Sequence, residues 1–180
     1  NGITLAFDEQ NERGGINGLS IEWVLQDTAC DPEQARRAAE RGINEQKIDF
    51  IVGGLCSEAA IPIARVADEG GALFVAATAT HPLVTVDEKG NTRSLVFRAG
   101  YAYPYQGRAA AHFALNELDT HRAASLIDPN NNYGRWLADE FIGAFVAGGG
   151  EMAATLMYHS QTADFDAIIV DAAQARADVL

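Results

Sequence analysis

The sequence predicts an α/β fold, a parallel sheet wound by helices and divided into two lobes. Three observations carry this expectation. Short apolar runs alternate with helical patterns along the chain, glycine or proline marks the joins, and after Arg98 the composition shifts before the same alternation restarts.

The elements follow in order. From Gly2 to Arg13, Ile3, Ala6 and Phe7 recur at helical spacing, and Gly14-Gly15 stand where a helix stops. "IEWVLQD" places Ile21, Trp23 and Leu25 in alternation, predicting a strand. In "CDPEQARRAAERG", Asp31 reads as an N-cap, Pro32 as the first helical residue and Gln34 as the capping-box partner. "FIVGG" from Phe50 predicts a strand running into a helix beyond Ser57, with Pro62 near its start, where a missing N–H costs least. "LFVAA" from Leu73 and "LVFRAG" from Leu95 predict two more strands.

Next comes "AGYAYPYQG", whose tyrosines, proline and glycines read as a crossover outside the core. The expected organisation is a first lobe over 1–99, a hinge crossover over 100–106 and part of a second lobe over 107–180. The second lobe repeats the alternation: a helix from Gln106 to Leu118, strand "RAASLID", a helix from Tyr133 to Ala147, strand "EMAATLMYH", and a helix from Asp164 to about Ala175. The closing "ADVL" begins another strand.

Composition narrows the function. A formal net charge of −12, with the 13 basic residues scattered, argues against nucleic acid, whose phosphates need clustered Lys and Arg. No apolar stretch reaches the length of a membrane span, and Asn1-Gly2-Ile3 opens no basic-then-apolar leader. His81, His112, His121 and His159 stand on separate elements without ligand spacing, so no metal is expected. "GLCSEA" around Ser57 is not a GxSxG elbow, which weakens a hydrolase built on Ser57 and His81. "GGGE" at Gly148 enters a strand where a dinucleotide fingerprint would leave one, so no cofactor is expected.

The informative stretch is "GGLCSEAAIP", Gly53 to Pro62. In open α/β sheets, ligands bind beyond the carboxyl ends of the strands, where loops feed helix N-termini. Ser57 reads as a helix N-cap, or as an anion-binding hydroxyl acting with the amides of residues 57–59. "ATATHP" offers Thr78 and Thr80, either as turn-forming hydroxyls before Pro82 or as partners of an ammonium group. Cys30 and Cys56 fall at the ends of neighbouring strand regions; they are either a disulfide of an oxidising compartment or two free buried thiols.

Taken together, "GGINGLSIEWVLQDTACDPEQA", "FIVGGLCSEAAIP", "TATHPLVT", "VFRAG…YQG", "NNNYGRWLADEF" and "DFDAI" resemble the solute-binding proteins of branched-chain amino-acid ABC transporters. The resemblance covers nearly the whole chain, motifs in order. It implies a type I periplasmic binding protein with two Rossmann-like lobes, which takes a solute between them and hands it to a transporter permease. It implies a non-enzymatic role in the periplasm, or outside the cell on a membrane anchor. By it, Ser57 and the Thr80 amide receive the solute carboxylate. The Thr78 carbonyl and Thr80 hydroxyl receive the ammonium, Tyr133 lies over the ligand, and Leu55 forms part of the wall. Cys30–Cys56 matches the family disulfide.

The sequence also departs from that pattern. Family members open with a strand before the first helix, and their second lobe continues further, so the sequence reads as a fragment whose first lobe lacks a central strand. Tyr103 stands where many members have Asp; with Tyr101 and Tyr105 it points to a related aromatic or amide-bearing solute. A ligand-sensing domain of a receptor or regulator is the alternative, since one fold serves both ends.

Overall fold

The computed structural model describes residues 2–180, which pack into two compact units. One comprises residues up to 79 together with 83–99; the other comprises 80–82 and 100–180. The chain therefore passes from one unit to the other after Ala79, Pro82 and Ala99.

The first unit contains α1 (Gly2–Glu12), α2 (Pro32–Asn44), β1 (Phe50–Gly53), α3 (Ser57–Gly70), β2 (Leu73–Ala76) and β3 (Val96–Arg98). Its sheet has the order β1-β2-β3 and is wholly parallel, with Gly53 opposite Ala76 and Ala76 opposite Arg98. α3 shows how sequence makes packing here. Ala59, Ala60, Ile63, Ala64 and Ala67 recur every three or four residues and are all buried. Their short side chains bring the helix close to the buried Phe74 of β2 and to Ala35 and Ala39 of α2. The helix closes on Gly71, whose φ of 75° is the left-handed C-cap conformation that glycine adopts without penalty.

Three expectations are corrected in this unit. Ile21–Asp27 forms no strand, although it carries the alternation: Trp23, Val24 and Leu25 are exposed. A strand needs a neighbouring backbone ladder, and among the described residues β1 is bonded to β2 alone. The segment is tethered by a side chain instead, because the Asn11 amide accepts from Ile21 N–H at 2.7 Å and donates to its carbonyl at 3.0 Å. Second, the capping box at α2 is only half made. Asp31 accepts from Gln34 N–H at 2.7 Å, but the Asp31 N–H donates to the Thr28 carbonyl at 2.8 Å. Third, Pro62 is the sixth residue of α3 and lies inside the helix, beyond the first turn.

The second unit contains α4 (Tyr103–Asn116), β4 (Arg122–Ile127), α5 (Asn132–Ala147), β5 (Glu151–Met157) and α6 (Asp166–Gln174). β4 and β5 are parallel neighbours. On the other side of β4, "ADVL" supplies a parallel bridge from Val179 to Ala123, with Ala124 N–H donating to the Val179 carbonyl at 2.9 Å. Phe145 of α5 is fully buried with Ala111, Ala114 and Ala123, and its ring stacks on Phe141 at 5.3 Å. α4 starts three residues before the expected Gln106, so the tyrosine-rich crossover is partly helix. Pro104, in the first turn, explains this: its fixed φ suits a helix start, where no N–H is needed. α6 likewise begins at Asp166, two residues later than expected, with the Asp164 carboxylate accepting from the Asp166 N–H.

Because Phe74 fills the space between α3 and the sheet, Phe74→Ala is expected to destabilise the first unit by about 3–5 kcal/mol. Chemical denaturation of the two proteins measures it.

Candidate functional site

In the first unit the parallel strands bring two loops out side by side. The ladder continues one bond past the strands, from Ala77 N–H to the Gly53 carbonyl at 3.0 Å. Beyond it, residues 54–56 lead into α3 and residues 77–80 leave β2. The Thr78 hydroxyl donates to the Leu55 carbonyl at 3.0 Å and ties the loops together. Gly54 is required at its position: its φ is 67°, and a Cβ there would stand 2.9 Å from the Ala60 Cβ.

Cys30 and Cys56 are joined by a disulfide, with their Cα atoms 5.6 Å apart. Cys30 is delivered by a turn in which Ala29 and Cys30 both hold positive φ, immediately before the Asp31 cap of α2. Cys56 is itself the N-cap of α3. Ser57 is therefore not the cap but the first helical residue, and the residue is 7% exposed. The anion-site expectation is narrowed as well, since the Ala59 N–H already donates to the Cys56 carbonyl at 3.2 Å. Leu55 stands exposed, as does Thr78, while Thr80 is half-buried.

Thr80 and Tyr133 belong to the second unit. The Thr80 carbonyl accepts from Tyr103 N–H at 3.0 Å, at the start of α4. Tyr133 lies in the first turn of α5, a helix capped by Asn131, whose side chain accepts from Gly134 N–H. Its hydroxyl donates to Gln106 Oε1 at 2.9 Å. The three crossover tyrosines divide. Tyr103 stacks on Trp136 at 5.6 Å beside His81, which meets Trp136 edge-on at 4.6 Å. Burial there, with Glu140 and Asp139 nearby, pushes the Tyr103 phenol above its ordinary range and keeps it neutral. Tyr101 and Tyr105 stack on each other at 5.5 Å and are largely exposed.

These features fall along one sequence, and that whole sequence, residues 1–180, matches a single family, described as periplasmic binding protein. The chain belongs to that family. It is 36% identical over 138 residues to an amino acid binding protein of Pseudomonas aeruginosa, covering 77% of this chain and 36% of that one. A leucine-, isoleucine-, valine-, threonine- and alanine-binding protein of the same organism is 30% identical over 168 residues, covering 93% and 43%. The crystal structure of a leucine-binding protein from Thermotoga maritima superposes with a TM-score of 0.78 at 31% identity, over 99% of this chain and 49% of that one. The chain thus spans less than half the length of the curated relatives it matches. The fold is that of the type I periplasmic binding proteins, in part.

Sequence reasoning missed Gln106 and Trp136 in this periplasmic binding protein. Gln106 passed as an ordinary helix residue. Its signal was the adjacent glycine, because Gly107 has no room for a side chain: a Cβ would lie 2.7 Å from the Glu140 Cβ and 2.8 Å from the Leu137 carbonyl. Among the described residues, no group of three His, Cys, Asp or Glu side chains could hold a metal, and no helix is long and apolar enough to cross a membrane.

The disulfide closes a sequence separation of 26 residues, so Cys30→Ser/Cys56→Ser is expected to lower stability by about 3 kcal/mol. Urea unfolding of oxidised, reduced and double-mutant protein tests this; reduced wild type and the mutant should coincide.

Proposed function

We propose that this protein captures a small amino-acid-like solute outside the cytoplasm and delivers it to the permease of an ABC transporter. The solute is a branched-chain amino acid or a related amide or aromatic compound. The role is binding alone, with no bond made or broken.

The observation that carries the reading is the construction of the β1–α3 loop. A disulfide, a sheet ladder and the Thr78 hydroxyl all converge on four residues and deliver Ser57 to the first position of a helix. The positive end of the α3 dipole and the Ser57 hydroxyl suit a carboxylate. The Thr80 amide joins them, the Thr78 carbonyl and Thr80 hydroxyl serve the ammonium, Leu55 contributes apolar wall, and Tyr133 covers the solute. Relatives whose names state amino-acid or Leu/Ile/Val binding support the substrate class. A structural neighbour from Streptococcus pneumoniae, similar in fold, is a branched-chain amino acid transporter substrate-binding protein in complex with isoleucine. Structural disulfides are characteristic of oxidising compartments, which supports the periplasm or the outer face of a membrane as the place of work.

Isothermal titration of the full-length protein with L-amino acids tests the proposal. Ser57→Ala is expected to cost about 1–3 kcal/mol of binding, the loss of one hydrogen bond to a charged group. Unchanged affinity would remove Ser57 from the site, and absence of binding to every amino acid tried would remove the function.

A further inference from the structure

The second unit contains a short hydrogen-bond relay that the solute-binding reading leaves unused. Gln106 Nε2 donates to the Tyr101 carbonyl at 2.7 Å, and Gln106 Oε1 accepts from the Tyr133 hydroxyl at 2.9 Å. A main-chain carbonyl can only accept, so the amide must turn its NH₂ toward Tyr101. That leaves its oxygen facing Tyr133, and an amide oxygen likewise only accepts. The phenol has one proton, and this arrangement takes it.

The relay is held from both sides. Gly107, the next residue, sits against α5 where a Cβ would meet the Phe141 nitrogen at 2.9 Å, so α4 and α5 approach closely beside Gln106. Tyr105 stacks on Tyr101, steadying the carbonyl that orients the amide. Asn131 caps the turn that carries Tyr133.

We propose that Gln106 is a positioning residue which commits the Tyr133 hydroxyl as a donor, leaving only its lone pairs for the solute, so that Tyr133 receives the ammonium group and not the carboxylate. The assignment rests on the function proposed above. Its consequence is selectivity: Gln106 strengthens binding of compounds that carry an α-amino group and leaves their deaminated counterparts untouched. A merely structural glutamine would affect both alike.

The test is titration calorimetry on full-length wild type, Gln106→Leu, Tyr133→Phe and the double variant. The probes are L-leucine, L-phenylalanine and L-glutamine, each paired with the same compound lacking its amino group. For whichever amino acid binds, Gln106→Leu is expected to weaken affinity about 10-fold. The double variant should be no weaker than Tyr133→Phe, and the deaminated acids should stay within about twofold throughout. Gln106→Glu keeps an acceptor for the phenol and should lose less than Gln106→Leu; equal losses overturn the assignment even if the leucine variant folds poorly. Multiplicative losses in the double variant, or equal losses for the deaminated acids, also overturn it. If Tyr133→Phe binds as wild type while Ser57→Ala does not, this assignment falls and the function stands. If wild type binds none of the amino acids, the function falls and takes the assignment with it.

Discussion

The bond between Cys30 and Cys56 sets the geometry of the first unit's rim. A loop of three residues between a strand and a helix ordinarily retains several conformations, each placing the helix start differently. Here the last residue of that loop is both half of a disulfide and the N-cap of α3, so the covalent constraint and the helix start coincide. Ser57 inherits its position from this. The Thr78 bond to Leu55 then fixes the adjacent loop against the first, and Gly54 supplies the one backbone conformation that lets the chain turn under Ala60. A binding hydroxyl gains from such preorganisation, because ordering that is complete before the ligand arrives does not weaken affinity.

Small residues make the same contribution in both units by a different route. The alanines of α3 allow the helix to lie close on β2, and Gly107 allows α4 to lie close on α5. Each close approach leaves little side-chain bulk that could repack, which fixes α3 against its sheet and α4 against α5. The candidate residues Ser57 and Tyr133 both sit in the first turn of a helix held in this way. Packing, not loop chemistry alone, therefore sets where their hydroxyls stand.

Legibility in the sequence followed the range of the interactions. The start of α2 was readable to the residue because its signals are local: Asp31 caps, Pro32 opens. Parallel strands were readable where an apolar run was also paired, as at Phe50–Gly53 and Leu73–Ala76. Ile21–Asp27 has as good a pattern and is not a strand, since alternation records which side chains suit a sheet and says nothing of whether a neighbouring backbone is present to bond. The site divides along the same line. Ser57, at the first position of α3, and Thr78, in the loop after β2, both follow recognisable strand ends. Gln106, by contrast, acts across 27 residues of sequence on Tyr133, and nothing in its own neighbourhood except a glycine advertises that.

Within each unit, what a hydroxyl can still do follows from where its proton goes. A hydroxyl can serve either end of a zwitterion until its hydrogen is committed; afterwards it can only accept. The Thr78 hydroxyl spends its hydrogen on the Leu55 carbonyl, and Tyr133 spends its own on Gln106. Each hydroxyl is thereby left with lone pairs alone to offer. A carboxylate needs the opposite polarity, which backbone N–H groups at a helix start provide in any sequence. Under the assignment proposed for Gln106, a Tyr133 hydroxyl whose hydrogen is already placed suits the cationic end of a solute.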